Sequence, residues 1–376
     1  MNTAIWRWHG HRALVDRLGA LWPFGPAAAG RKRWLFISEN DAICHTQLFP
    51  FFSHRGDFAG PIELRELPLR RFQENRHPYS GPVDAVCLQT WFDLSPEALT
   101  ELLGRIKQTW PGAAIAYFDW FAPTDLRYAE ILDGQVAAYV KKQALRDFSQ
   151  YARPTLGDTN LTDYYARRFG LDLPETHYAV PDDFHDKLIL SPHFAFSAHM
   201  LPYFLGAFPA RENRSIDLHA RIAVKGTQWY ALMRQEALDK VTGLENRLNV
   251  VCRGRVSRDQ YFKEMFNAKL CFSPFGYGEV CWRDFEAMFT GSLLLKPDMS
   301  HLDCYPEVFV PYETYVPLAW DLSDFDEKVE HYLGHPAECE AIARNAFDRL
   351  REYFRQRRFL DDVRPLLRKL GLAETP

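Results

Sequence analysis

The fold is decided by one stretch, residues 271–301: CFSPFGYGEVCWRDFEAMFTGSLLLKPDMSH. Its pattern predicts a short strand, a glycine-containing loop, a helix over about 280–290 that ends at Gly291, and a second, buried parallel strand. Such a unit presents a helix N-terminus to an anion, because its backbone N–H groups and the helix dipole point at the bound charge. Gly276 and Gly278 have no side chain to keep a phosphate away from the backbone. The stretch therefore predicts an anion-binding loop in a parallel α/β sheet.

Three charged residues lie on one face of this predicted helix. Glu279, Arg283 and Glu286 recur at positions i, i+4 and i+7. The opposite face is apolar and consists of Cys281, Phe285, Met288 and Phe289. A carboxylate at Glu286 is placed to accept hydrogen bonds from two hydroxyls, and Arg283 can meet a diphosphate through two parallel hydrogen bonds. The pattern favours a ribose diphosphate as ligand; the alternatives are a solvated row of salt bridges and a pairing of Arg283 with Asp284.

These residues resemble the donor-binding segment of glycosyltransferases with the two-domain GT-B architecture. Retaining members of that group carry an E-x(7)-E pattern, in which a G-F-G loop precedes F/L-E-A-M-x-x-G and a hydrophobic strand. The sequence FEAMFTG at 285–291 matches the second half, and GYG at 276–278 matches the loop. The resemblance, over about 217–333, implies that Glu286 holds the nucleotide ribose. In the family the first Glu faces the donor sugar, and Glu279 is the candidate for that catalytic role here. Ser273 to Phe275 stand at the first Glu's usual place, and Glu279 follows the glycines with six residues rather than seven before the second Glu.

The resemblance also implies a fold and an activity. The expected fold class is α/β, with two doubly wound Rossmann-like domains facing each other across a cleft. The expected activity is transfer of a sugar from a nucleotide sugar to a glycan, lipid or protein acceptor in bacterial surface glycoconjugate synthesis, with retention of configuration favoured. We expect no cofactor besides the donor substrate, and no metal, because no convincing D-x-D loop is present. A nucleotide-sugar epimerase or hydrolase of the same shape, or a non-catalytic protein that binds sugar nucleotides, are the alternatives.

Length and composition limit the other function classes. A chain of 376 residues suits two domains better than one. The net charge of −4 creates no basic field, so nucleic acid is not expected as a partner. The seven cysteines are scattered and never form C-x-x-C, which favours a reducing cytoplasm over a zinc site. No run of apolar residues is long enough to span a membrane.

Residues 1–30 differ from the rest of the chain. They mix aromatic and aliphatic residues with Arg7, Arg12 and Arg17. One interpretation is an amphipathic helix that touches the inner face of the membrane through residues 1–22. The other is a helix packed on the protein body, or a disordered leader.

The first domain, over 31–210, is predicted to bind the acceptor. Strands alternate with helices along it, which predicts a parallel sheet whose ligands lie beyond the carboxyl ends of the strands. Asp119 follows such a strand and is the candidate base for the acceptor hydroxyl. Asp41 and His45 follow another and are candidate acceptor contacts. For all three, the alternative is that the side chain caps a turn.

The second domain, over 211–355, is predicted to bind the donor. Arg221 and Lys225 follow its first strand, where a fixed cation would stabilise the diphosphate leaving group; the alternative for Lys225 is an ordinary surface lysine. Asp298 and His301 follow the strand after the helix, and they contact either the donor sugar or loop amides. By resemblance, Gly276, Tyr277 and Gly278 also contact the donor, and a helix over 356–376 returns to the first domain.

Overall fold

The computed structural model describes residues 22–25, 30–39, 41–58 and 60–372. The predicted leader lies mostly outside these residues, so both interpretations of it stay predictions. In the part of the chain that the structure describes, no helix is long and apolar enough to cross a membrane.

The strands fall into two large sheets and two small ones. In chain order they are β1 (Lys32–Ser38), β2 (Ile62–Pro68), β3 (Ala85–Leu88), β4 (Ala114–Asp119), β5 (Ala138–Lys141), β6 (Gln143–Leu145), β7 (Thr155–Leu156), β8 (Glu175–Thr176), β9 (Leu188–Leu190), β10 (Ile216–His219), β11 (Val250–Val251), β12 (Ala268–Phe272), β13 (Leu293–Pro297), β14 (Leu302–Cys304) and β15 (Val316–Leu318).

The helices alternate with the strands of the large sheets. In chain order they are α1 (Ala42–Ser53), α2 (Arg55–Phe58), α3 (Leu69–Gln73), α4 (Pro96–Thr109), α5 (Ala129–Leu132), α6 (Asn160–Phe169), α7 (Leu201–Phe204), α8 (Gln228–Thr242), α9 (Arg258–Phe266), α10 (Trp282–Thr290), α11 (Phe325–Gly334), α12 (Pro336–Arg355), α13 (Phe359–Asp362) and α14 (Arg364–Lys369). Short 3-10 helices cover Phe148–Ala152, Phe184–Lys187 and Phe194–Phe196.

The first domain is built on a sheet of six parallel strands in the order β2-β1-β3-β4-β5-β9. Residues 34–37 of β1 and 85–88 of β3 are buried on both faces. Parallel strands covered by helices on both sides need such continuous apolar runs. The order places a crevice between the carboxyl ends of β1 and β3, where the direction of winding changes.

The second domain is built on five parallel strands in the order β11-β10-β12-β13-β15. The central stretch folds largely as predicted: α10 begins at Trp282, and Gly291 ends it in the left-handed conformation, with φ 70°. The crevice of this sheet lies between β10 and β12. Two doubly wound sheets in one chain confirm the predicted fold class.

The two domains are joined by backbone pairing and by packing. Strand β6, directly after the first sheet's β5, pairs antiparallel with β14 of the second domain. Beside it, Phe194 stacks on Trp282 with ring centroids 4.7 Å apart. At the end of the chain, the Phe359 ring returns to the first domain, 5.1 Å from the Phe51 ring. The two domains therefore contact each other through backbone hydrogen bonds and through aromatic rings.

Candidate functional site

The loops that carry the predicted donor residues meet at one edge of the second sheet. All five strands are parallel, so their carboxyl ends lie on the same side. Arg221 follows β10, the glycine loop follows β12, and Asp298 follows β13. The crevice between β10 and β12 is the position at which this kind of sheet binds ligands.

Arg283 spans this crevice. Its guanidinium donates to the backbone oxygen of Arg221 beyond β10, and at 3.4 Å to that of Phe272 at the end of β12. Its Nε is buried and has no hydrogen-bond partner among the described residues. The neighbouring Asp284 does not compete for it, because that carboxylate accepts bonds from Ser273 Oγ and the Cys281 N–H. Arg283 thus keeps an unused donor at the switch point of the sheet.

Glu286 lies one turn further along α10. Its Oε2 accepts a hydrogen bond of 2.7 Å from the Tyr261 hydroxyl, and Oε1 accepts none from the residues that the structure describes. Burial raises the pKa of Glu286 above its usual value, against the lowering effects of Tyr261 and Arg283. A partly buried carboxylate with one free oxygen is suited to bind a ligand hydroxyl.

Arg221 is occupied by protein groups. It forms a two-pronged ion pair with Glu264, at 2.7 and 2.8 Å, and donates to the backbone oxygens of Arg253 and Gly254. These bonds fix the loop after β11 against the end of β10. We therefore correct the direct donor contact expected for Arg221: its side chain shapes the edge of the crevice.

The glycine loop lies against the start of α8. The Tyr277 hydroxyl accepts a hydrogen bond from the Thr227 N–H (3.0 Å), and its ring stacks on Tyr230 at 4.2 Å. Lys225, next to that contact, is exposed and forms no hydrogen bond or ion pair with the described residues. Gly276 forms a tight turn in which its N–H donates to the backbone oxygen of Gly278. Tyr277 therefore covers the start of α8.

Glu279 lies in the contact between the domains. It is 0% exposed, and Asn160, Gln143 and Thr124 of the first domain donate to its carboxylate at 2.9, 3.2 and 3.3 Å. His301 Nε2 lies 3.5 Å from the same carboxylate. Burial opposes ionisation of Glu279, but the bonds from His301 and Asn160 outweigh it, so its pKa lies below the ordinary value.

This position changes the roles expected for Glu279 and Asp298. Glu279 is sealed between the domains and does not reach a donor sugar, so its catalytic role is corrected to one of joining the domains. Asp298 accepts bonds from the Ser300 N–H (3.3 Å) and the Tyr315 hydroxyl (3.1 Å). It therefore binds a loop amide, which was the alternative to a contact with the donor sugar. His301 remains partly exposed, with 19% of its side chain accessible.

The structure contradicts the role of acceptor base that was expected for Asp119. This residue is 0% exposed, and its Oδ2 lies 2.5 Å from Lys141 Nζ and accepts a bond from the Tyr139 hydroxyl. Its Oδ1 accepts from the Phe121 N–H at 2.8 Å. An acceptor hydroxyl cannot reach a carboxylate enclosed in this way. Asp119 therefore caps the turn and neutralises a buried lysine.

Asp41 and His45 are likewise used by the protein itself. The Asp41 carboxylate caps α1 by accepting from the Ile43 N–H at 2.7 Å. His45 Nε2 lies 2.8 Å from Glu66 Oε1. Both side chains thus have the structural role that was the alternative expectation, since Asp41 Oδ1 caps α1 and His45 Nε2 is paired with Glu66.

The structure brings together polar groups that the sequence did not single out. Asn160, Gln143 and Thr124 surround Glu279, although no local pattern marks Asn160. Lys142 is 2% exposed, and its ammonium lies 4.3 Å from the centroid of the Phe194 ring. Burial lowers the pKa of Lys142 to about 7. In the sequence, Lys142 and Gln143 are marked only by their place in the polar run KKQ, which directly follows an apolar strand.

Two buried histidines predict sensitivity to acid. His193 and His219 are 0% exposed, and burial lowers the pKa of each to about 3. The unfolded chain binds a proton on each below about pH 6.5, whereas the folded chain does not, so stability present above that pH is lost as the pH falls. Between pH 7 and 5, each histidine should reduce the free energy of unfolding by about 2 kcal/mol.

Urea unfolding at both pH values tests this with His193→Leu. The variant should lose about 2 kcal/mol less than the parent between pH 7 and 5. His177→Leu, at an exposed position, should keep the parent's pH dependence. An unchanged pH dependence in His193→Leu would mean that His193 is not held neutral in the folded chain.

In the part of the chain that the structure describes, no group of three or more His, Cys, Asp or Glu residues could hold a metal ion. The expectation of a metal-independent protein stays a prediction.

The comparison with family models finds one match, which covers mainly the second domain. Residues 207–363 match the model of a family described as glycosyl transferase-like. No curated protein matches the sequence significantly.

Among solved structures, a glycosyltransferase from Rickettsia africae ESF-5 aligns over 91% of this chain and 100% of its own, with 10% identity and a TM-score of 0.52. An alpha-glucosyltransferase in complex with UDP and DNA aligns over 88% of this chain and 99% of its own (7% identity, TM-score 0.49). TarM aligns over 77% of this chain (9% identity, TM-score 0.44), and the chain spans only 56% of TarM. The chain is thus similar to the glycosyl transferase-like family over residues 207–363, and its two Rossmann-like domains have the GT-B type fold.

Proposed function

We propose that this protein transfers a sugar from a nucleotide-sugar donor to an acceptor, with the donor bound at the crevice between β10 and β12. The observation that carries the proposal is the pair of unused polar atoms there. Arg283 Nε is buried without a partner, and Glu286 Oε1 accepts no bond from the described residues. A buried donor without a partner is costly, so a ligand that supplies the missing bond would bind favourably.

The two side chains suit different parts of a nucleotide sugar. The free oxygen of Glu286 would accept a bond from a ribose hydroxyl. Arg283 Nε would donate to a phosphate oxygen, and the exposed ammonium of Lys225 would approach the same diphosphate from the loop before α8. For that approach, Tyr277 would have to release the Thr227 N–H, which it now occupies.

In the reaction, the diphosphate leaves with the bonding electrons of the sugar C1–O bond. Arg283 and Lys225 would stabilise this developing negative charge without a metal ion. His301 is the accessible predicted residue nearest to the domain contact and would touch the donor sugar. The resemblance of 285–291 to retaining enzymes favours retention of configuration. With Asp119 enclosed, we assign no base for the acceptor.

The finer expectations follow from the same proposal. The acceptor would be a glycan, a lipid-linked glycan or a protein in bacterial surface glycoconjugate synthesis. The reaction would take place in the cytoplasm, with residues 1–22 at the inner face of the membrane. The expectation that nucleic acid is not a partner rests on the net charge of −4.

Donor binding is the direct test. Calorimetric titration with UDP-, GDP-, ADP- and TDP-sugars should find one donor that binds in the micromolar range, about −8 kcal/mol. Glu286→Ala should weaken that binding about tenfold to a hundredfold, because a hydrogen bond to a charged group is lost. The matched control is Glu327→Ala, an exposed glutamate on α11, which should bind as the parent does.

The other outcomes separate the alternatives. Turnover of the nucleotide sugar alone, without acceptor, would identify an epimerase or hydrolase. Binding without any turnover would identify a non-catalytic protein. If no nucleotide sugar binds, or if Glu286→Ala binds as tightly as the parent, the donor site is wrong.

A further inference from the structure

Apart from the proposed donor crevice, a cavity lies in the first domain, within the long connection between β5 and β9. Its volume is about 400 Å³, within the range of small-molecule sites. The walls come from the turn at 124–126, the 3-10 helix at 148–152, strands β7 and β8, and the start of α6. None of the residues predicted from the sequence lines it.

The lining offers both hydrogen-bonding groups and an aromatic ring. Arg153, Thr176 and Tyr178 line the cavity, and none of their side chains forms a hydrogen bond with the described residues. The Arg127 guanidinium lies over the Tyr178 ring, 5.5 Å from its centroid, and helps to fix the ring's position. A hydroxyl-rich ligand with an apolar ring face fits such a wall, since its C–H groups pack on the tyrosine and its hydroxyls both donate and accept.

The charges around the cavity are balanced. Arg127 forms a two-pronged pair with Asp125 at 2.7 Å for both contacts, and Arg167 pairs with Asp163. Asp158 also pairs with Arg127, at 3.4 Å, and Arg153 adds a guanidinium. A field of mixed sign attracts neither a phosphate nor a cation strongly. The ligand that fits is therefore neutral and polar.

The cavity shares a wall with the contact between the domains. Asn160 and Thr124 line it, and the same two side chains hold the Glu279 carboxylate of the second domain. Helix α6 continues from this wall to the second domain, where the Tyr165 hydroxyl donates to the Trp320 backbone oxygen. The cavity thus lies one layer of side chains from the donor domain.

We propose that this cavity binds a neutral saccharide unit of the acceptor, one or more units away from the sugar that receives the transfer. The proposal rests on the proposed sugar transfer, and it favours a glycan over a bare lipid or protein as the acceptor. Since Asn160 and Thr124 touch both the cavity and Glu279, a saccharide bound here would lie at a fixed distance from the donor domain.

Saturation-transfer NMR on the full chain tests the site without a donor. The probes are methyl glycosides of glucose, galactose, mannose and N-acetylglucosamine, together with maltose and lactose. At least one should bind with a millimolar dissociation constant. Tyr178→Ala removes the ring wall and Thr176→Trp fills the cavity, and each should weaken that binding about tenfold or more.

Controls separate this site from the donor site. Tyr312→Ala removes an exposed tyrosine of the second domain and should bind saccharides as the parent does. Circular dichroism establishes that the variants are folded, and titration of the same samples with UDP-, GDP-, ADP- and TDP-sugars reports the donor site separately. Saccharide binding without nucleotide binding would leave the cavity standing and overturn the proposed function.

The reverse pattern overturns the inference alone. It would consist of nucleotide binding with no saturable saccharide signal. A saccharide signal that Tyr178→Ala and Thr176→Trp both leave unchanged would do the same, because the sugar would then bind elsewhere.

Discussion

Replacing Asp119 by alanine is expected to destabilise the first domain by about 3–5 kcal/mol. The change leaves the Lys141 ammonium, which is 1% exposed, without its counter-charge. It also removes the acceptor of the Tyr139 hydroxyl and of the Phe121 N–H. Urea unfolding followed by circular dichroism measures the loss.

Two further variants separate charge from shape. Asp119→Ala combined with Lys141→Met removes both charges and should recover much of the lost stability, because no buried ion is left unpaired. Asp119→Asn keeps an acceptor for the Phe121 N–H and should fall between parent and alanine variant. A stable Asp119→Ala protein that has lost sugar transfer would instead restore Asp119 as the catalytic base.

Gly278→Ala is expected to separate the glycine loop from the first domain. A Cβ at this position would lie 1.8 Å from the backbone oxygen of Ala122 and 2.4 Å from its carbonyl carbon. Neither atom can rotate away, so the loop must move and the bonds that hold Glu279 must break. We expect a loss of about 3 kcal/mol or more, at the upper end of the cost of overpacking.

Gly276→Ala is the matched control within the same loop. Its Cβ would meet the Cys281 Sγ at 3.3 Å, and a side chain can shift by the few tenths of an ångström required. Thermal unfolding and small-angle scattering should therefore change little for Gly276→Ala and strongly for Gly278→Ala. Equal stability and equal scattering for the two variants would show that Gly278 does not contact Ala122 in solution.

Local patterns determined the elements of this fold. Apolar runs predicted the buried parallel strands, because a sheet covered on both faces needs apolar side chains on both. Ser95 followed by Pro96 is the N-cap and first-position pattern typical of a helix start, and in α4 the Ser95 side chain accepts from the Ala98 N–H. Gly291 predicted the end of α10, since a left-handed residue there favours glycine. These signals act over a few residues and are readable from the sequence.

The sequence also determined which side of the second sheet carries the donor residues. Arg283 and Glu286 recur at helical spacing directly after a glycine loop, and the parallel topology brings that loop to the switch point of the sheet. Their spacing and position follow from the helical period and the strand order. The sequence did not show which residue pairs with each charged side chain.

Only the tertiary structure decided which charged residues are free to bind a ligand. Arg221 and Glu264 are separated by 43 residues, and Glu279 and Asn160 by 119, so no local pattern links them. Asp119, Asp41 and His45 follow strands just as ligand-binding residues do, but folding gives each a partner inside the first domain. The cavity beside Tyr178 arises in the same way, because its walls come from segments that meet only when the chain is folded.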